Sequence, residues 1–395
     1  RDITNNKIGW QVLKPNEHGD WLNQRSDLFA SFISIGSKSD TCSTIFEIYS
    51  GGLLTSRDSW CYNYSEMGLS ANMTRTIGFY NAQREKYACR KDVNATVESV
   101  VEVDQQKISW SRALKKNIHR NKEISFESNC LFVSMYRPFV KQQVYFSRFY
   151  NEMVYQQPLI YPTQKHHNLC LCLSGTGSIK DFSVIISDKL PCYDMVEKGQ
   201  CFPLYYYEKL DGNVGTLFDT GNVQYAKRDG ITDFILEQCH KAYGNRVTKE
   251  DIFYYVYGIL HSPDYRTQFA ADLKKMLPRI PLVEKPADFW AFSKAGRDLA
   301  NLHLNYEDVD PHPDVVVTGA ETGNFHVEKM KFITKGDKTA IQYNPYIKVT
   351  NIPLRAYDYI VNGKSAIDWI MERYAVTVDK ASQIKNDPND WATEH

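Results

Sequence analysis

Two stretches carry residue types arranged as methyl transfer would need them. In 171–188, LCLSGTGSIKDFSVIISD, an apolar run opens into Gly175-Thr176-Gly177, as a strand opens onto a glycine-rich cofactor loop. In 344–347, Asn-Pro-Tyr-Ile is close to the Asn-Pro-Pro-aromatic loop that holds a flipped adenine by its amine and stacks on its face. What surrounds each stretch argues against that chemistry. A nucleotide-binding crossover needs a helix and at least about 10–12 residues. Here Ser178–Asp181 alone separates Gly177 from the next apolar run, Phe182–Ile186. The flanks, 168–173 and 182–186, therefore predict a β-hairpin. The second stretch lacks the second proline and lies between apparent strands at 339–343 and 347–351, where Asn-Pro marks a turn. No cofactor-binding or catalytic residue is expected in this chain. The competing reading, an S-adenosylmethionine site at Gly175, Gly177 and Asn344–Tyr346, would show itself as tight binding of that methyl donor.

A metal site is the next chemistry to consider. His166, His167, Cys170 and Cys172 lie close together, yet the two cysteines alternate within one strand and no second pair has ligand spacing. No metal is expected. The nine cysteines are scattered and odd in number, which predicts reduced thiols and a cytoplasmic setting. No run of about 18 apolar residues is present to span a membrane.

Charge is more telling by position than in total. The net formal charge is zero, but 105–150 holds Lys107, Arg112, Lys115, Lys116, Arg120, Lys122, Arg137, Lys141 and Arg148 against Glu123 and Glu127 alone. From 301 to 328 there are six acidic residues and no Lys or Arg. In 109–120, Trp110, Leu114 and Ile118 fall on one helical face and the basic residues on the other. Such a face either neutralises phosphates or is simply solvated. Ser50–Asp58 offers a second pair: the glycines admit a close ligand, Arg57 presents a fork for a phosphate or guanine edge, and Asp58 could hold it. The same residues also describe a tight turn closed by an Arg57–Asp58 pair. Arg137, before Pro138, is open to both readings.

The elements that must position these residues read as an α+β fold with mixed short-strand sheets. Strands are expected at 9–13, 45–49, 132–136 and 143–146, and a helix at 72–86. A boundary in 150–165 would separate subdomains 1–155 and 156–395. The second opens with the hairpin and continues into a helical block at 231–302: 231–243, 249–260 behind a Thr248 cap, 263–276 and 289–302. Strands follow at 315–318, 325–333 and 339–351, then a last helix at 365–374 and a polar tail.

Several stretches together resemble one family. Ser50–Asp58, Phe79-Tyr-Asn81, Tyr136-Arg-Pro-Phe139, Gly199–Tyr205, Ile252–Tyr265, Pro278-Arg-Ile-Pro281, Gly363–Trp369 and Asn386–Trp391 resemble the C-terminal specificity region of type ISP restriction–modification enzymes, in order over nearly the whole chain. The resemblance implies a target recognition domain for double-stranded DNA. In the parent chain a nuclease, a helicase-type motor and an adenine methyltransferase would lie upstream, using S-adenosylmethionine, ATP and Mg. The first residue, Arg1, fits a piece of such a chain. The domain would clamp duplex DNA against the methyltransferase and read an asymmetric site in the major groove. On this reading Lys107, Arg112, Lys115, Lys116 and Arg120 contact phosphates, with Arg57, Asp58 and Arg137 as further candidates. Tyr254, Tyr255 and Tyr257 are core. A docking module that touches no base is the other alternative.

Overall fold

The computed structural model describes residues 12–22, 24–40, 42–210 and 224–394. Its centre is a four-stranded antiparallel sheet in the order Ser50–Gly51, Gln200–Pro203, Cys170–Leu173, Val184–Ser187. The 171–188 stretch is thus the expected hairpin: Leu171 pairs with Ile186 and Leu173 with Val184, antiparallel. Period-two alternation sends its side chains to opposite faces. Cys170, Cys172, Ile185 and Cys201 face one apolar cluster, while Leu171, Leu173, Val184, Ile186 and Phe202 face the other.

The first cluster is roofed by the long helix Glu66–Ala88 and a second four-stranded sheet, ordered Tyr62–Asn63, Val140–Tyr145, Leu131–Arg137, Leu190–Pro191. The second is packed by Asp233–Tyr243, Lys249–His261 and Pro286–Leu304. Core membership does not break at residue 155. Phe29, Ile35 and Phe46 belong with the second cluster, and Val361 and Ile384 with the first. A third sheet, Val316–Thr318, Lys348–Thr350, Ile341–Gln342, Lys331–Phe332, encloses a small core of its own with Ile352 and Tyr357.

Helix starts follow their caps. Thr248 accepts from the Asp251 N–H while the Asp251 carboxylate accepts from the Thr248 N–H, closing a capping box. Tyr254, Tyr255 and Tyr257 are buried as expected. Their helix meets Pro286–Leu304 at two glycines: a Cβ on Gly296 would sit 2.0 Å from the Tyr254 carbonyl oxygen, and one on Gly258 2.4 Å from that of Phe292. Gly296→Ala is therefore expected to lower stability by about 1–3 kcal/mol, although alanine is the better helix former by about 1 kcal/mol. Thermal unfolding of the variant measures this, and a raised midpoint would show that the helices can move apart freely.

Several expected elements differ. The strand at 9–13 begins outside the described residues. Residues 45–49 form only an isolated bridge, Phe46 to Ile231. The helix at 263–276 breaks into Pro263–Gln268 and Ala270–Lys275, because Phe269 leaves helical geometry and packs its ring on Phe29, Phe32 and Tyr265. The strand at 325–333 shrinks to Lys331–Phe332. The Asn344 amide takes the carbonyls of Asn324 and His326, and Asn389 bonds both backbone groups of Val327. The polar tail is ordered as well. Thr377–Val378 pairs with Lys385–Asn386, and Pro388–Glu394 is helical.

Candidate nucleic-acid interface

The basic helix spans Arg112–His119, with Ser111 as N-cap accepting from the Leu114 N–H. Leu114 and Ile118 are buried, and the partly buried Trp110 packs on the same core while its indole N–H donates to the Glu102 carbonyl, 2.9 Å. That anchoring turns the opposite face outward. Arg112, Lys116 and Arg120 are all exposed and recur every four residues, forming one stripe. Among the described residues none of the three has an ion-pair partner. A cavity of about 500 Å³ lies alongside, lined by Val97, Glu98, Trp110, Arg112, Lys115, Lys116 and their neighbours.

The other basic candidates are already engaged. Lys115 pairs with Glu98 at 3.4 Å. Lys107 pairs with Glu102 at 2.7 Å, and this hydrogen bond raises its pKa.

Arg57 corrects the sequence reading. It is 4 % exposed, and its Nε donates to the Ser109 carbonyl oxygen at 3.2 Å. One terminal nitrogen donates to the Tyr150 carbonyl, the other lies 3.6 Å from the Glu152 carboxylate, and the plane sits over the Tyr150 ring. The guanidinium is thus turned into the protein, and its second terminal nitrogen is buried beside Glu152. Asp58 does not hold it either: its carboxylate accepts from Thr55 and Tyr136 and lies 3.8 Å from Arg137. Arg137 in turn donates to the Tyr136 carbonyl at 2.7 Å and stacks on the Tyr136 ring. Gly51 and Gly52 admit protein rather than ligand, since a Cβ would meet the Tyr155 ring at 2.8 Å and the Cys192 carbonyl oxygen at 2.6 Å. Glu152, the true partner of Arg57, carried no signal in the sequence because nothing local links the two.

The two stretches that suggested methyl transfer hold the chain to itself. A Cβ on Gly175 would sit 2.3 Å from the Lys198 carbonyl oxygen, and the Gly177 carbonyl accepts from Lys198 Nζ at 2.7 Å. Asn344 spends its amide on Asn324 and His326 and its carbonyl on the N–H groups of Tyr346 and Ile347. Among the described residues no helix is long and apolar enough to cross a membrane.

Fold and surface together define an α+β domain with one strongly cationic helix face. The chain belongs to the family described as the Type ISP C-terminal specificity domain, which matches residues 44–395. A solved structure of a nuclease-deletion mutant of the Type ISP restriction-modification enzyme LlaGI, in complex with a DNA substrate mimic, superposes with TM-score 0.84 at 34% identity, over 97% of this chain and 33% of that one. The ATP-dependent Type ISP enzyme LlaBIII bound to DNA gives TM-score 0.84 at 36% identity, over 96% and 23%. A DrdV–DNA complex gives 0.78 at 28%, over 95% and 37%. The chain thus spans between 23% and 37% of the length of those proteins. No curated protein matches the sequence.

Proposed function

We propose that this domain recognises a specific site in double-stranded DNA and serves a larger restriction–modification enzyme. The likeness to DNA complexes of such enzymes supports the partner, and the unpaired stripe of Arg112, Lys116 and Arg120 carries the assignment of the phosphate-binding face. These three side chains set register on the duplex; base edges are read by others. Lys107 and Lys115 contribute less, because their carboxylate partners already neutralise them. Nuclease, motor and adenine methyltransferase, with S-adenosylmethionine, ATP and Mg, are assigned to the portion of the parent polypeptide that this chain does not cover. The upstream methyltransferase is the intramolecular partner, and the setting is the cytoplasm.

The test is Arg112→Ala, Lys116→Ala and Arg120→Ala combined, in the intact enzyme. Affinity is expected to fall for cognate and random duplexes alike. The slope of log affinity against log salt should flatten by about 0.9 per lost phosphate contact. An unchanged slope removes this face from the interface. A pool selection from random duplexes that enriches no sequence would refute recognition itself and leave a docking module.

A further inference from the structure

Three thiols meet inside the central sheet. Cys170 and Cys172 occupy alternate positions of one strand, so both project to the same face, and Cys201 stands directly opposite Cys172 on the neighbouring strand. All three residues are at most 1 % exposed. Their sulfur atoms lie within 4.8 Å of one another, and those of Cys172 and Cys201 are 3.7 Å apart. Four sulfurs around a cation at the Zn–S distance of about 2.3 Å stand roughly 3.8 Å from one another, so the observed gap matches one edge of that tetrahedron. The sequence shows only the Cys-x-Cys half of this arrangement, because the third cysteine arrives from another strand.

A second observation points to an occupant. Gln157 is fully buried beside this cluster; its Nε2 donates to the Gly51 carbonyl oxygen at 2.9 Å and its amide reaches the Cys201 thiol. Its carbonyl oxygen, and the hydroxyl oxygen of nearby Tyr161, are buried without a hydrogen-bond partner. Buried unpaired oxygens are unusual and call for an explanation. Three soft sulfurs at this spacing form a donor set suited to zinc, which takes thiolates.

We infer that Cys170, Cys172 and Cys201 form a structural site for a thiophilic divalent cation of the zinc class, walled by the buried Gln157 amide. The site is enclosed, so the cation enters as the sheet closes during folding, and the ligating thiols release their protons on binding. Bound there, it fastens the 170–173 strand to the 200–203 strand.

The chain is expressed in zinc-supplemented medium and purified under reducing conditions without chelator, and its metal content is measured. A single zinc ion per chain is expected, lost in Cys201→Ser and in Cys172→Ala but kept in Cys239→Ser, a buried cysteine of the other cluster. Growth with cobalt in place of zinc gives a second readout on the wild-type chain, independent of variant folding. Thiolate-to-cobalt charge-transfer absorption with tetrahedral d–d bands supports the site. Wild-type chain that is metal-free after zinc supplementation and lacks those bands after cobalt growth overturns it, and leaves three cysteines packed as small apolar side chains. Both outcomes are independent of DNA binding.

Discussion

Arg57→Ala is expected to lower the stability of the domain by about 3–5 kcal/mol, the range for removing one partner of a buried ion pair. The truncation leaves the Ser109 and Tyr150 carbonyls without their donor and Glu152 without its counter-charge. Arg57→Lys should recover only part of this, because an ammonium group cannot reproduce the planar fork that meets two carbonyls and a carboxylate together. Denaturant unfolding of the two variants measures the order. The effect extends to the proposed DNA-binding face: Ser109 lies two residues before the Ser111 cap of the Arg112–His119 helix, so loss of Arg57 loosens the approach to the basic stripe. An unchanged unfolding midpoint combined with weakened DNA binding would mean that the guanidinium leaves the interior to meet the duplex.

Acid should destabilise the domain through two histidines. His303 Nδ1 accepts from the Tyr257 hydroxyl at 2.6 Å, and His261 Nδ1 donates to the Tyr257 carbonyl at 3.0 Å while its Nε2 faces Tyr359. Burial lowers His261 to about 4; at His303 burial, with His261 nearby, lowers it to about 3. In the unfolded chain both take up a proton near pH 6.5, so below that pH the unfolded state binds more protons than the folded one. Stability is therefore complete above about pH 6.5 and falls as pH drops toward 4, by about 1.4 kcal/mol per unit for each histidine. By pH 5 the pair removes about 4 kcal/mol. His303→Asn, which keeps a polar group of similar breadth but cannot titrate, should lose about half of that pH dependence when unfolding midpoints at pH 7 and pH 5 are compared. An identical pH dependence in the variant would show that His303 is protonated in the folded state.

The legible parts of this molecule were those written locally. The Thr248 cap and the apolar spacing place three helices to within a few residues. The short gap between Gly177 and Phe182 identifies the hairpin, and the stripe on 112–120 is visible as a pattern of charge. Contacts between distant positions were not legible. Arg57 sits next to Asp58 in sequence, yet it pairs with Glu152 while Asp58 lies against Arg137. The tail looks polar because its polar groups work inside the structure: Asn386 accepts from the Tyr64 N–H, and Glu394 accepts from Ser65 and Glu66 at the start of the long helix. The stretches that carry the family resemblance behave similarly, with the Tyr255 and Tyr265 hydroxyls donating to the carbonyls of Pro281 and Arg279.

The central sheet has a bearing on how such domains change their preferences. One pleated layer lends alternate side chains to both apolar clusters, and segments from each end of the chain cross over to complete them. Grafting one half from a relative would replace a single wall of two rooms at once and leave mismatched volumes on both sides. New target preference is therefore reached most readily by replacing individual outward-facing side chains, with the shared partition kept intact.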